Sequence, residues 1–314
     1  MNMSHSPTVS VIIATYNSSH TLRYTIKSLL NQTFQDFEAW IIGDCCTDDT
    51  KELIDSFNDS RLYWYNRAEN SGSQPAPNNE GLIRSKGKYI AYLGHDDLWL
   101  PHHLKELISH VENKQLHFTY AITVHIAPNG IEYVRGKRFI GLCDKDFVSP
   151  PSSWLHKKDL IDKIGFWDED YLKLARPPDA DFYSRVASSG IKIEPSKKLT
   201  VIKFPSPSWK SYKNKIDITD AIESYWTRIS KNPINLELEL LNAIAFEYSK
   251  FHLQGMILPM NVLLKMIKKN ISLFLKNKLY CVGVFRYIYL KRSYYKYRKS
   301  RTKGLKKRGL NLHD

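Results

Sequence analysis

Short apolar runs alternate with amphipathic stretches through the first hundred residues. Val9–Thr15 is a strand-like run, and Phe37–Ile42, Leu62–Tyr65 and Tyr89–Leu93 repeat it at strand length. Between them, Thr21–Leu30 has helical spacing behind Ser18 or Ser19, either of which can cap it. Thr47 can cap a second helix through Ile54 and Phe57, with Asp48 and Asp49 in a first turn where the helix dipole favours acids. Asn79–Arg84 reads as a short helix, and Pro101 ahead of Leu104, Leu107, Ile108 and Val111 opens another. This alternation predicts an α/β fold: a mostly parallel central sheet with helices on both faces.

After Val111 the pattern changes. Phe118–Ile126 and Ile131–Val134 flank Pro128-Asn129-Gly130, which predicts a hairpin. Pro150-Pro151 breaks the chain. Asp159–Ile164 and Phe182–Ala187 read as short helices, and Ile191–Glu194 and Leu199–Phe204 as strands. From about Ile216 the reading is helical. Met260, Leu263, Leu264, Ile267, Ile271, Phe274 and Leu275 form one helical stripe, with Lys265, Lys268, Lys269 and Lys276 off it. The chain thus divides into an α/β domain over 1–210 and a helical C-terminal region over 211–314.

Charge sharpens that division. Residues 265–314 hold 16 Lys and Arg against one acid, Asp314, whereas the other 264 residues hold 30 basic and 31 acidic groups. The body is neutral and the excess lies in the tail. A solvated end and a nucleic-acid-binding end are alternatives. An amphipathic helix before a polybasic stretch fits an anionic membrane surface best, so no nucleic-acid partner is expected. The N-terminus shows no charged n-region with an apolar h-region, and no run of about 18 apolar residues occurs. A cytoplasmic protein, peripheral on the inner face of the cell membrane, is expected. Cys45, Cys46, Cys143 and Cys281 lack metal-ligand or disulfide spacing, and the adjacent pair reads as small buried fillers.

Ligands of α/β sheets bind beyond the carboxyl ends of the strands, so the residues leaving each apolar run are the candidates. The first run exits through Thr15-Tyr16-Asn17, where Tyr16 could stack a base and Thr15 hydrogen-bond it, or Asn17 could merely cap the next helix. The second exits through Gly43-Asp44; Asp44 could accept from a ribose hydroxyl or base N–H, or serve the following helix. The fourth exits through Gly94-His95-Asp96-Asp97. Adjacent carboxylates repel unless a cation joins them, and a divalent ion on a diphosphate would do so; starting a helix is the alternative. His95 reads as a loop residue, and His102-His103 as surface. Asp179 and Asp181, after Arg176-Pro177-Pro178, could take a proton from a hydroxyl or cap a helix. No Gly-rich phosphate loop supports a nucleotidyltransferase, nor Gly-x-Gly-x-x-Gly a dehydrogenase.

In order and spacing these segments resemble the family 2 glycosyltransferases of GT-A fold. The matching stretches are Val9–Asn17, Gln32-Thr33-Phe34 with Asp36-Phe37-Glu38, Gly43-Asp44 through Thr47–Thr50, Asn79-Glu80-Gly81, Gly87–Asp97, Gly165–Glu169 and Asp179–Arg185, within about residues 8–205. The resemblance implies inverting transfer from a nucleotide-diphosphate sugar, UDP by preference, to a hydroxyl of a glycan or lipid-linked acceptor in bacterial surface-polysaccharide synthesis. It implies that Thr15, Tyr16, Asn17 and Asp44 hold base and ribose. It gives Asp96 the ribose and, with Asp97, a Mn²⁺ or Mg²⁺, and makes Asp179 the general base. The chain departs from the pattern at three places: Gly43 where many members have Asp, Gly94 in place of the leading acid of Asp-x-Asp, and Asn78 where Arg is common. A membrane-associated adaptor that binds nucleotide sugars without turnover is the non-enzymatic alternative.

Overall fold

A computed structural model describes residues 6–127, 130–136, 149–170, 173–174, 176–205 and 218–257. The expected domain boundary at 210/211, the Pro128-Asn129 turn and the basic amphipathic tail lie outside the described residues. The strands are β1 (Val9–Thr15), β2 (Phe37–Gly43), β3 (Leu62–Asn66), β4 (Tyr89–Tyr92), β5 (Asp97–Trp99), β6 (Phe118–Ala127), β7 (Gly130–Arg135), β8 (Trp154–Lys157) and β9 (Ile193–Lys203). The helices are α1 (Ser19–Leu30), α2 (Thr50–Ser56), α3 (Pro75–Arg84), α4 (His103–Asn113), α5 (Leu160–Ile164), α6 (Pro178–Ser188), α7 (Thr219–Lys231) and α8 (Pro233–Ile257).

The described strands form one sheet, ordered β3-β2-β1-β4-β8-β6-β9-β5, with β7 paired to β6. The expected parallel arrangement holds for β3-β2-β1-β4. Beyond β4 the sheet is mixed: β8 runs antiparallel to both β4 and β6, β9 runs parallel to β6, and β5 closes the edge antiparallel to β9. Only Leu93–Asp96 separate β4 from β5. That is too short for a parallel crossover, so the chain leaves β4 and joins the far edge.

The continuous apolar character of β1 follows from burial on both faces. Val9, Val11 and Ile13 pack in one core with Leu22 and Ile26 of α1 and Leu104 and Leu107 of α4. Ile12 points the other way, into a core with Leu82, Trp154, Trp167 and Phe182. A third core joins Val124, Ile202 and Phe204 to Ile222, Ile229, Leu236 and Leu240 of α7 and α8.

Three local expectations are corrected. α2 starts at Thr50, not after a Thr47 cap. Asp48 accepts from the Thr50 amide at 3.3 Å and the Ser19 amide at 3.1 Å, and Asp49 accepts from the Ser19 hydroxyl, so both acids tie α1 to α2. α3 begins at Pro75, four residues early, because proline needs no amide partner in a first helical turn. His103 is buried rather than on the surface: it shares the inner face of α4 with Leu107 and Val111, meets the Thr200 hydroxyl at 2.7 Å and stacks on Trp99 at 4.2 Å. Burial pushes its pKa well down.

A second buried histidine makes stability pH-dependent. The Trp167 indole donates to the Tyr92 hydroxyl at 3.2 Å, Tyr92 donates to His156 Nε2 at 3.2 Å, and His156 Nδ1 donates to the Lys157 carbonyl at 2.7 Å. This chain satisfies a neutral imidazole, and burial lowers the His156 pKa to about 4. The unfolded chain binds a proton near pH 6.5, whereas the native one waits until about 4. Stability is therefore full above 6.5 and declines as pH falls through that window, by about 3 kcal/mol from this residue. Urea unfolding at pH 7 and pH 4.5 should show the decline, and His156→Phe should make it shallower, with His103 still contributing. An unchanged slope in the variant would remove His156 from the account.

Candidate active site

A cavity of about 740 Å³ opens beyond the carboxyl ends of β1, β2 and β4, walled on its far side by Pro150–Ser152 and the start of α6. This volume suits a small-molecule ligand. Thr15, Tyr16, Asn17, Asp44, Asp96 and Asp179 all line it; Asp97 does not.

The parallel register brings the first two exits together, with Thr15 opposite Gly43 and the Asp44 amide donating to the Thr15 carbonyl at 2.8 Å. Thr15 Oγ1 is buried without a hydrogen-bond partner. Asn17 takes a left-handed conformation (φ 43°), which asparagine tolerates. Its amide bridges to Thr47 at both ends, 3.2 and 2.8 Å, so it fastens the two exit loops. The Cys46 Sγ accepts from the Asn17 amide at 3.4 Å; Cys45 and Cys46 are partly exposed and unbridged, not buried fillers.

Asp44 organises the rim. It pairs with Arg67 at 2.5 Å and accepts from the Ser71 amide, the Ser71 hydroxyl and the Gly72 amide at 3.0–3.1 Å. The sequence reading missed Arg67, Ser71 and Gly72, which sit in a loop without periodicity. Gly43 is required by packing: a Cβ there would lie 2.4 Å from the Trp64 ring and 2.5 Å from Asn66 Oδ1.

The two aspartates after β4 part company. Asp96 faces the cavity, and its Oδ2 is buried without a partner. Asp97, expected beside it as a metal ligand, is fully buried at the start of β5 with both oxygens engaged. Lys203 Nζ bonds them at 3.1 and 2.9 Å, and the Ser152 hydroxyl donates to Oδ2. Asp97 and Lys203 face each other across the β5–β9 ladder. Burial raises the Asp97 pKa, with the neighbouring Asp96 adding to this and Lys203 opposing it. Burial also acts against the Lys203 charge, but Asp97, Asp96 and Asp179 outweigh it and push its pKa up. His95 also lines the cavity, its Nδ1 3.1 Å from the Ala14 carbonyl.

Asp179 occupies the first turn of α6, after Pro178 at N1, and caps nothing as the N-cap residue; its Oδ1 accepts from the Ala180 amide at 2.9 Å. Burial pushes its carboxyl pKa up, against two backbone hydrogen bonds and the Lys203 charge. Asp181 is turned to Arg185 at 2.9 Å, and Arg185 anchors the helix on the Ile164 carbonyl at 2.5 Å. Two of the sequence motifs also fasten each other. Asn79 donates to the Trp167 carbonyl at 2.9 Å and to Glu169 at 2.7 Å, and accepts from the Trp167 amide at 2.9 Å.

Comparison with known proteins agrees with this geometry. Residues 10–129 match the family model described as glycosyl transferase family 2. A UDP-Glc:alpha-D-GlcNAc-diphosphoundecaprenol beta-1,3-glucosyltransferase, WfaP of Escherichia coli, is 36% identical over 113 residues, 36% of this chain and 45% of WfaP. A putative teichuronic acid biosynthesis glycosyltransferase, TuaG of Bacillus subtilis, is 32% identical over 116 residues, 36% of this chain and 46% of TuaG. The chain thus spans less than half the length of these relatives. Among solved structures, S. aureus TarS 1-349 in complex with UDP superposes with a TM-score of 0.57 at 17% identity, covering 97% of this chain and 93% of that one, which shows a shared fold. Motif order, sheet architecture and these matches agree: residues 10–129 match the glycosyl transferase family 2 model, and the fold is the one seen in TarS.

Proposed function

We propose that the protein is an inverting glycosyltransferase that moves a sugar from a nucleotide-diphosphate sugar, UDP-linked, to a hydroxyl of a glycan or lipid-linked acceptor. One observation carries the reading. Thr15 Oγ1 and Asp96 Oδ2 are buried without partners on residues lining the same cavity as Asp179. Buried polar atoms are nearly always paired, so these two mark where a polar ligand completes the structure.

In this reading Tyr16 and Thr15 hold the base, and Asp44 fixes the Arg67–Gly72 rim around it. Asp96 contacts the ribose side of the donor. Asp179 takes the proton as the acceptor oxygen bonds to C1 and the C1–O bond to the diphosphate breaks. The bonding pair leaves with the diphosphate, and the anomeric configuration inverts.

No cluster of three metal-ligating side chains occurs among the described residues, and Asp97 is spent on Lys203. Asp96 alone fits, because Mg²⁺ and Mn²⁺ in phosphate sites commonly take one or two carboxylates and complete their shell with phosphate and water. When bound there, such an ion would help neutralise the leaving diphosphate.

The activities of the two relatives support a surface-polysaccharide acceptor. No helix among the described residues is long and apolar enough to cross a membrane. Ile234, Leu238 and Leu241 form an exposed apolar stripe on α8, which leads towards the basic tail. This arrangement supports seating on the inner membrane face, beside a lipid-linked acceptor.

Calorimetric titration with UDP, GDP and dTDP, each with and without Mn²⁺, tests the donor site. Saturable binding of UDP, strengthened by Mn²⁺ and weakened in Asp96→Ala, is the expected result. Absence of binding by all three would overturn the reading.

A further inference from the structure

We infer that the Lys203 ammonium is the protein's fixed cation for the donor diphosphate, seated for that task by Asp97 and Ser152. The inference rests on the nucleotide-diphosphate reading of the cavity and adds a residue to it.

Four features point to this role. The first is charge. Three carboxylates, Asp44, Asp96 and Asp179, line the cavity, and Lys203 is the one Lys or Arg among its described lining residues. Arg67 already pairs with Asp44, so without Lys203 an entering diphosphate would meet Asp96 and Asp179 with no Lys or Arg among the described lining residues.

The second is exposure. Asp97 is fully buried, whereas the Lys203 side chain keeps 24% of its surface. The pair is therefore a socket closed at the acid end and open at the ammonium end. An ammonium has three N–H donors; Asp97 takes two, and we assign the third to a phosphate oxygen.

The third is rigidity. Asp97 sits opposite Lys203 in the β5–β9 ladder, its carbonyl accepts from the Thr25 hydroxyl at 3.0 Å, and Ser152 links its carboxylate to the Gly94 amide at 3.0 Å. A charge held this way reorganises little when negative charge develops on the leaving group.

The fourth gathers two sequence departures into one account. At Gly94 a Cβ would lie 2.7 Å from Asp97 Oδ2 and 3.2 Å from Asp96 Oδ1. The Lys203-bound carboxylate therefore fills the space a leading acid would need. Asn78, buried and lining the same cavity, brings no charge where arginine is common. Lys203 supplies from β9 the positive charge that α3 does not.

The test compares UDP with uridine on the full chain, in EDTA and in Mn²⁺, by calorimetry. In Lys203→Met, UDP affinity in EDTA should fall roughly 10- to 100-fold, the range for a charged hydrogen bond, while uridine affinity stays within about twofold, because the nucleoside lacks the phosphates this bond would reach. Lys203→Met leaves Asp97 buried without its partner. The Lys203→Met/Asp97→Asn double variant keeps a filled, neutral socket and should show the same selective loss if the single variant fails to fold. Equal weakening of UDP and uridine would make Lys203 a packing residue and overturn the inference, as would unchanged UDP binding. If the wild-type protein binds neither compound, the donor reading itself falls and takes the inference with it. Wild-type binding with no selective loss in the variants sinks the inference alone.

Discussion

Asp179→Asn should lower kcat by roughly 10³-fold, within the range for removal of a general base, and change UDP affinity by less than about threefold, since the substitution keeps the shape and removes only proton affinity. Asn cannot accept the acceptor hydroxyl's proton. It can still pack at the start of α6, whose anchors are Pro178, Phe182 and the Asp181–Arg185–Ile164 chain rather than Asp179 itself. The pH profile gives a second readout. Burial raises the Asp179 pKa, and a base works only when unprotonated. Activity should therefore fall as pH drops through a value above the ordinary carboxylate range near 4, and the acid limb should vanish from the residual rate of Asp179→Asn. Loss of donor binding in step with kcat would make Asp179 a binding group. An acid limb that persists unchanged in the variant would assign the titration elsewhere.

The sequence made the first half of the site legible because each strand there is buried on both faces and ends abruptly. The apolar runs β1, β2 and β4 were read within a residue or so of their bounds, and the polar residues at their exits line one cavity. What was not legible depends on neighbours distant in sequence. β5 (Asp-Leu-Trp) and β8 (Trp-Leu-His-Lys) are short and mix polar with apolar residues, so neither shows the apolar run that marks β4, and Pro195 and Lys197 (φ 60°) interrupt the pattern of β9 without ending its pairing, so it reads as two strands. Asp97 was grouped with Asp96 because they are adjacent. At the head of a strand adjacent side chains diverge, so one faced the cavity and the other the Lys203 strand. A signal for Lys203 was present: a lone cation in the apolar run Leu199–Phe204 requires a buried acid, though sequence alone does not say which.

Trp167→Ala should destabilise the fold by roughly 3–5 kcal/mol, the range for deleting a buried large aromatic side chain, and should lower kcat more than it weakens UDP binding. Trp167 is 2% exposed. It stacks on Phe182 at 4.5 Å and on Trp154 at 6.0 Å, meets Tyr92 edge-on at 5.3 Å and donates to the Tyr92 hydroxyl at 3.2 Å. Phe182 is one turn after Asp179 on α6, so the indole is the wall against which the helix carrying the proposed base is set. Removing it opens a cavity between α6 and β8 and loosens Asp179, whereas Thr15, Tyr16 and Asp44 are held by β1 and β2 on the other side of the donor cavity. Trp167→Phe should keep part of the stacking while losing the N–H and one ring, at a smaller cost than Trp167→Ala. Urea unfolding would read both, with a lower midpoint at constant slope marking a loss of native stability. A shift below about 1 kcal/mol for Trp167→Ala would mean that the aromatic stack does not set α6. In that case the Arg185 anchor on the Ile164 carbonyl, not the aromatic core, is what fixes Asp179 over the cavity.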